Sequence, residues 1–187
     1  MADKPKRRSR RAHLDDFKKD ESGQYVYTGK CYAFDGEDRQ RRRFLWIVGV
    51  GTLLAAVGVI LPECFAPAAI SRSYITLLPW LALVISVFLL AWTATRLLWR
   101  MRELRAYIYA ATVPRLPRRA LASTICAGAT LLAQIVFIVL YGLDGAFPTL
   151  IRPAMTILTG AASFLLYRVA VTTRWREVET LSTSRDS

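Results

Sequence analysis

The chain has 187 residues, 53% of them hydrophobic, yet it carries a formal net charge of +12. Its single histidine, His13, excludes a Ser-His triad, haem ligation by His or a His-based metal site assembled by this chain alone. Three cysteines with no CxxC pair and a complete lack of asparagine exclude a thioredoxin-like redox motif and N-glycosylation sequons.

Residues 1–24 are rich in charge, poor in large apolar groups and include the run KRRSRR. Such a segment buries too little to offset the entropy of ordering, so a disordered basic tail is expected. Its arginine pairs do not make a twin-arginine export signal, because Leu14 is followed by DDFKKDES and not by an apolar run.

Residues 25–43 form an aromatic and basic juxtamembrane segment. Tyr25 and Tyr27 share one strand face, as do Tyr32 and Phe34, and Thr28, Gly29 and Lys30 supply a turn between them. The pattern predicts a short cytoplasmic β-hairpin ahead of the first helix. A lone hairpin is marginal in water, so its rings must rest on lipid headgroups, pack on the chain itself or dock a partner. Tyr25, Tyr27, Tyr32 and Phe34 are the candidate partner-docking residues.

Four apolar stretches follow, at residues 44–61, 75–98, 120–141 and 148–169. Each approaches the ~20 residues that cross a hydrocarbon core as a helix, and lipid offers no hydrogen bonds to any other backbone form. The expected fold is an all-α integral membrane protein. Its transmembrane domain, residues 44–170, is a four-helix bundle, and residues 171–187 form a cytoplasmic tail. The first stretch is too long and too far along the chain for a cleaved signal peptide, and is expected to stay as an anchor.

The second span is expected to run on as an amphipathic helix through residues 96–109. Leu97, Met101, Leu104 and Ile108 fall on one stripe, with Arg96, Arg100 and Glu103 on other faces. That stripe rests on the bilayer or receives the aromatic segment 25–34. Pro114 and Pro117 then end the extension. Small residues suited to close helix approach are Gly51, Ala55 and Gly58 in the first span, Ala122, Cys126 and Thr130 in the third, and Thr156 and Gly160 in the fourth.

Lys and Arg decide orientation. Residues 1–43 hold thirteen, residues 96–119 seven and the end from Arg168 four, which leaves only Arg72 and Arg152. Both termini and the central loop are therefore expected on the cytoplasmic side of a cell membrane. Trp46, Trp80, Trp99 and Tyr167 fall near span ends, as interfacial rings do, whereas Trp92 is deep enough to face another helix. Arg greatly outnumbers Lys, 21 to 5, which fits a GC-rich bacterial genome.

The basic residues flank spans and accompany no nucleic-acid motif, so no nucleic-acid partner is expected. Arg41, Arg42, Arg43, Arg100, Arg118 and Arg119 are instead candidate contacts for the headgroups of anionic lipids. Gln134 is the deepest strongly polar side chain, expected to hydrogen-bond across helices. A transporter driven by an intramembrane ionisable residue is disfavoured. Glu63, Arg72, Asp144 and Arg152 form a polar cluster on the outer side; they either make a shallow site for a zwitterion or headgroup or, as is more usual, pair across loop ends or stay solvated with little energetic consequence. Cys31, Cys64 and Cys126 lie at different depths, too far apart to join.

No acid–base or nucleophile constellation and no cofactor motif is present, so no enzymatic activity is expected. Two functional readings remain. One is a non-catalytic scaffold, regulatory or accessory subunit that binds a membrane-protein partner. The other is a small homo-oligomeric permeation unit lined by Gln134, Ser86, Thr93, Thr130 and Thr156.

Overall fold

The computed structural model describes residues 17–19, 25–27, 31–65, 73–99, 104–142 and 146–178. Four long helices dominate it: α1 (Asp38–Ile60), α2 (Tyr74–Trp99), α4 (Arg115–Tyr141) and α5 (Ala146–Thr172). A short helix, α3 (Ala106–Thr112), precedes α4. At 1.5 Å per residue the long helices reach roughly 35–40 Å, enough for a ~30 Å hydrocarbon core. All four are apolar enough to cross a membrane, and the chain is a multi-pass membrane protein.

The helices close a ring in which α1 packs on α2, α2 on α4, α4 on α5 and α5 back on α1. Its interior mixes leucines such as Leu83, Leu90 and Leu166 with small hydroxyl residues, and its outer surface is apolar, unlike that of a water-soluble bundle. Thr76, Thr93, Ser123, Thr130, Thr159 and Ser163 are fully buried, whereas Leu53, Ile85, Phe88, Ile125, Leu132 and Val139 face outward. Lipid tails are as apolar as leucine, so large apolar groups gain little by turning inward, and close packing also brings small and hydrogen-bonding residues to the interior. Trp92, deep enough in sequence to suggest a helix neighbour, is 56% exposed on that outer surface.

Gly51, Ala55 and Gly58 form the expected seam. A Cβ added at Gly58 would stand 2.9 Å from the Met155 carbonyl oxygen, and one at Gly51 would stand 2.9 Å from Leu166 Cδ2. Only glycine lets α1 approach α5 so closely. On α4 the expected stripe holds at Thr130 and is displaced at its other two positions. Ala122 is exposed and Cys126 half-buried, while Ala120, Ser123, Ala127, Thr130 and Gln134 face the interior. In a uniformly apolar helix, Ala at 122 and Ala at 120 are indistinguishable by hydropathy; the serine and glutamine mark the inward face. At the end of α4, Gly142 at φ +80° donates its N–H to Ile138 at 2.9 Å and stops the helix.

The end of the bundle that holds the start of α1 carries a cap. Strand β3 (Cys31–Phe34) is the centre of a three-stranded antiparallel sheet, with β4 (Leu104–Arg105) on one side and β5 (Trp175–Val178) on the other. Phe34 stands opposite Trp175, Tyr32 opposite both Glu177 and Leu104. The ladder extends at Asp35, whose N–H donates to the Arg174 carbonyl at 3.1 Å.

Three expectations change here. The hairpin exists, but strand β2 (Tyr25–Tyr27) pairs with β1 (Phe17–Lys19), in register Phe17 to Tyr27, and not with residues 31–34. Residues 17–19, within the segment expected to be disordered, are thus a strand, as are residues 175–178 of the expected tail; the other residues of 1–24 lie outside the described ones. The 96–109 segment is not one helix: α2 ends at Trp99, and Leu104–Arg105 is extended against β3 before α3 begins. Ladder bonds to β3 and burial of Leu104 outweigh the modest helical preference of so short a stretch. Leu97, Leu104 and Ile108 nevertheless share one core, as their spacing suggested; Met101, Arg100 and Glu103 lie outside the described residues.

Candidate functional site

Two sets of side chains stand out from the generic packing. The first is the aromatic core beneath the cap. Tyr32 and Phe34 alternate onto one face of β3, and each meets rings from distant segments. Tyr32 stacks on Tyr109 of α3, centroids 4.0 Å apart and planes 14° off parallel. Phe34 meets Phe44 of α1 at 5.8 Å and the edge of Trp175 at 5.9 Å. Trp175 also lies 6.2 Å from both Phe44 and Tyr109 in edge-to-face geometry, the arrangement aromatic quadrupoles favour. Residues expected to dock a partner therefore split. Tyr32 and Phe34, both half-buried, pack on rings of the chain itself, and the side chains of Tyr25 and Tyr27 lie outside the described residues. Leu97, Leu104, Ile108 and Leu116 complete the hydrophobic floor.

The second set is a polar seam through the bundle. Near the cap, Arg119 donates to the Leu89 carbonyl at 2.9 Å and to Thr93 Oγ1. Deeper, Ser123 and Ser163 join α4 to α5 at 3.0 Å. Thr130 donates to the Pro79 carbonyl on α2 at 3.0 Å, and Thr159 to that of Ala55 on α1 at 3.4 Å. Gln134 Nε2 donates to Thr156 Oγ1 at 3.2 Å, and that hydroxyl donates to the Arg152 carbonyl at 2.9 Å. The guanidinium of Arg152 then pairs with the Glu63 carboxylate. In a medium without water each such group gains from a protein partner, and the seam supplies these bonds from Arg119 at one end to Arg152 at the other.

Gln134 is thus buried and bonded across helices, as its depth implied. Arg152 pairs, as charges of the outer cluster were expected to, but the burial of that pair departs from expectation: Arg152 sits inside α5 with only 4% of its surface exposed. Glu63 reaches it from the 3₁₀ turn Leu61–Cys64 that ends α1, keeping 28% of its own side chain accessible. Residues at positions 72 and 144, the remaining members of the outer cluster, Arg72 and Asp144, lie outside the described residues.

The candidate headgroup contacts also separate. Arg42, Arg43 and Arg118 are exposed, Arg41 pairs with Asp38 at 3.1 Å, and Arg119 turns inward onto α2. Cys31 is buried in β3, Cys64 is exposed at the opposite end and Cys126 is half-buried in α4. Among the described residues no three His, Cys, Asp or Glu side chains gather as metal ligands.

What sequence reasoning missed is the role of Trp175 and Tyr109. Their signal was present, as two bulky rings in otherwise basic segments, but only β3 makes them neighbours. No protein-family model, curated protein or solved structure matches this chain.

Proposed function

We propose that this is a non-catalytic protein of a bacterial cell membrane, with both termini cytoplasmic, serving as a scaffold, regulatory or accessory subunit of a membrane complex. The orientation rests on the Lys and Arg residues crowded at 1–43, 96–119 and beyond 168. The observation that most supports the accessory role is the engagement of the buried polar groups. From Arg119 to Arg152 they bond to one another or to carbonyls of neighbouring helices. Groups held in this way fix helix positions and leave recognition to the surfaces. The cap presents a rigid platform on the cytoplasmic side, and a partner docks there through the hairpin that carries Tyr25 and Tyr27, with Tyr32 and Phe34 holding the platform together.

One observation favours a second reading. Thr93, Thr130, Gln134 and Thr156 are all buried in the interior, where in a homo-oligomeric permeation unit they would line a path. The test is to solubilise the tagged full-length protein from its native host in mild detergent, measure the mass of the complex and identify its components. A stoichiometric second protein is the expected result. A homo-oligomer alone, followed by solute flux in liposomes, would replace the accessory reading with permeation.

A further inference from the structure

The outer surface of α1 carries two grooves separated by a ridge. One, of about 390 Å³, lies toward α2 and is lined by Arg42, Trp46, Gly49, Val50, Leu53 and Leu98 among others. The other, of about 290 Å³, lies toward α5 and includes Trp46, Val50, Gly51, Ala162 and Leu165. Trp46 and Val50 belong to both and form the ridge; the indole is 72% exposed. Gly49 keeps the floor of the first groove low: a Cβ there would already touch Leu98 Cδ1 at 3.8 Å, so a larger side chain would intrude on the groove.

Charge enters at one end only. Arg42 is exposed and makes no ion pair among the described residues, whereas neighbouring Arg41 is held by Asp38. From Arg42 to Leu53 the first groove follows α1 for about 16 Å, and every other lining residue named is apolar or glycine. One lining cation, Arg42, at the membrane edge of the first groove, with a second apolar groove across the Trp46–Val50 ridge, matches an amphiphile with one anionic head and two hydrocarbon tails. A free anion needs no groove, and an uncharged apolar ligand needs no Arg42. Another transmembrane helix, a cylinder about 10 Å across, would meet the protruding Trp46 before its backbone came close, where helix pairs favour small residues.

We infer that α1 holds one anionic diacyl phospholipid, its phosphate on Arg42 and its two acyl chains on either side of the Trp46–Val50 ridge. The site is distinct from diffuse attraction of basic residues to a charged bilayer, because it assigns one lipid to one arginine and leaves other exposed arginines, such as Arg118, without a share.

Native mass spectrometry of the full-length protein in detergent, titrated separately with dioleoylphosphatidylglycerol and dioleoylphosphatidylcholine, tests it. The wild type should retain one phosphatidylglycerol per chain in preference to phosphatidylcholine. Arg42→Gln should lower phosphatidylglycerol retention about fivefold, the factor one well-placed basic residue contributes, and erase the preference. Gly49→Leu should weaken retention by filling the groove, with circular dichroism confirming that the helices persist. Arg118→Gln should change nothing. Equal retention of both lipids by the wild type, an ineffective Arg42→Gln, or an equal loss from Arg118→Gln would each overturn the assignment. So would a protein dimer that Gly49→Leu dissociates, which would make the groove a helix-docking surface.

Discussion

The two ends of the bundle are closed by opposite means. At the capped end, segments separated by most of the chain converge, and aromatic rings with a three-stranded sheet join them. At the far end a carboxylate from the turn after α1 reaches a guanidinium inside α5. The cap gains from burying ring surface in contact with water, whereas the far end answers the cost of a charge already placed in the interior. The first closure is cumulative, with each ring adding a share. The second is conditional, since the buried Arg152 charge is tolerable only while Glu63 is present.

That contrast makes the far end the more fragile under a single substitution. Glu63→Ala leaves the Arg152 charge buried without its carboxylate, and should cost about 3 kcal/mol, the usual penalty for breaking such a pair from one side. Joining Glu63→Ala to Arg152→Met removes both charges and should recover most of that loss. Equilibrium unfolding in mixed detergent measures each single variant and the double one. Simple additivity of the two changes would show that the pair is not coupled and that the far end is no different in kind from the cap.

The cap should instead lose stability locally. Trp175→Ala deletes edge contacts to Phe34, Phe44 and Tyr109, and with Trp175 only half-buried the loss should be about 2 kcal/mol, below that of a fully buried tryptophan. Hydrogen exchange should quicken at residues 31–34 and 104–105, while the amides of α4 and α5 around Gln134 and Thr156 stay protected. Equal acceleration at both ends would mean that the cap and the bundle open as one unit, and the distinction between the two closures would fall.

How far each region was legible in the sequence follows from the range of its interactions. The four spans were, because helix formation in lipid is a local demand on ~20 consecutive residues. So was the cross-helix role of Gln134, since a lone amide at that depth has few alternatives. The cap was not: Phe34 pairs with Trp175 across most of the chain, and strands of two to four residues leave almost no periodicity to read. The β1–β2 hairpin was half legible, because Tyr25 and Tyr27 alternate as a strand should, but the turn chemistry of Thr28, Gly29 and Lys30 pointed to the wrong partner. Arg152 escaped for another reason. A charge near a span end is compatible with both solvent and interior, and only the rotation of α5 about its axis decides between them.

The mildest test concerns Gln134, and it separates the two functional readings as well as the two ends. Gln134 and Thr156 sit between the cap and the Arg152–Glu63 pair, so they belong structurally to the seam and to neither closure. Gln134→Leu removes one interhelical hydrogen bond but leaves no buried charge behind. The hydroxyl of Thr156 keeps its own acceptor in the Arg152 carbonyl. Interhelical hydrogen bonds in membranes contribute about 0.6 kcal/mol on average, and leucine fills nearly the same volume, so the unfolding midpoint should scarcely move. The accessory reading then expects partner association to survive intact, because a packing contact of that size does not alter the surfaces. A permeation unit would behave otherwise: deleting its deepest polar group would raise a barrier in the path, and flux in liposomes would collapse while stability stayed the same. Loss of flux at constant stability is therefore the outcome that would make the seam a conduit, and unchanged association with unchanged stability the one that leaves it a strut.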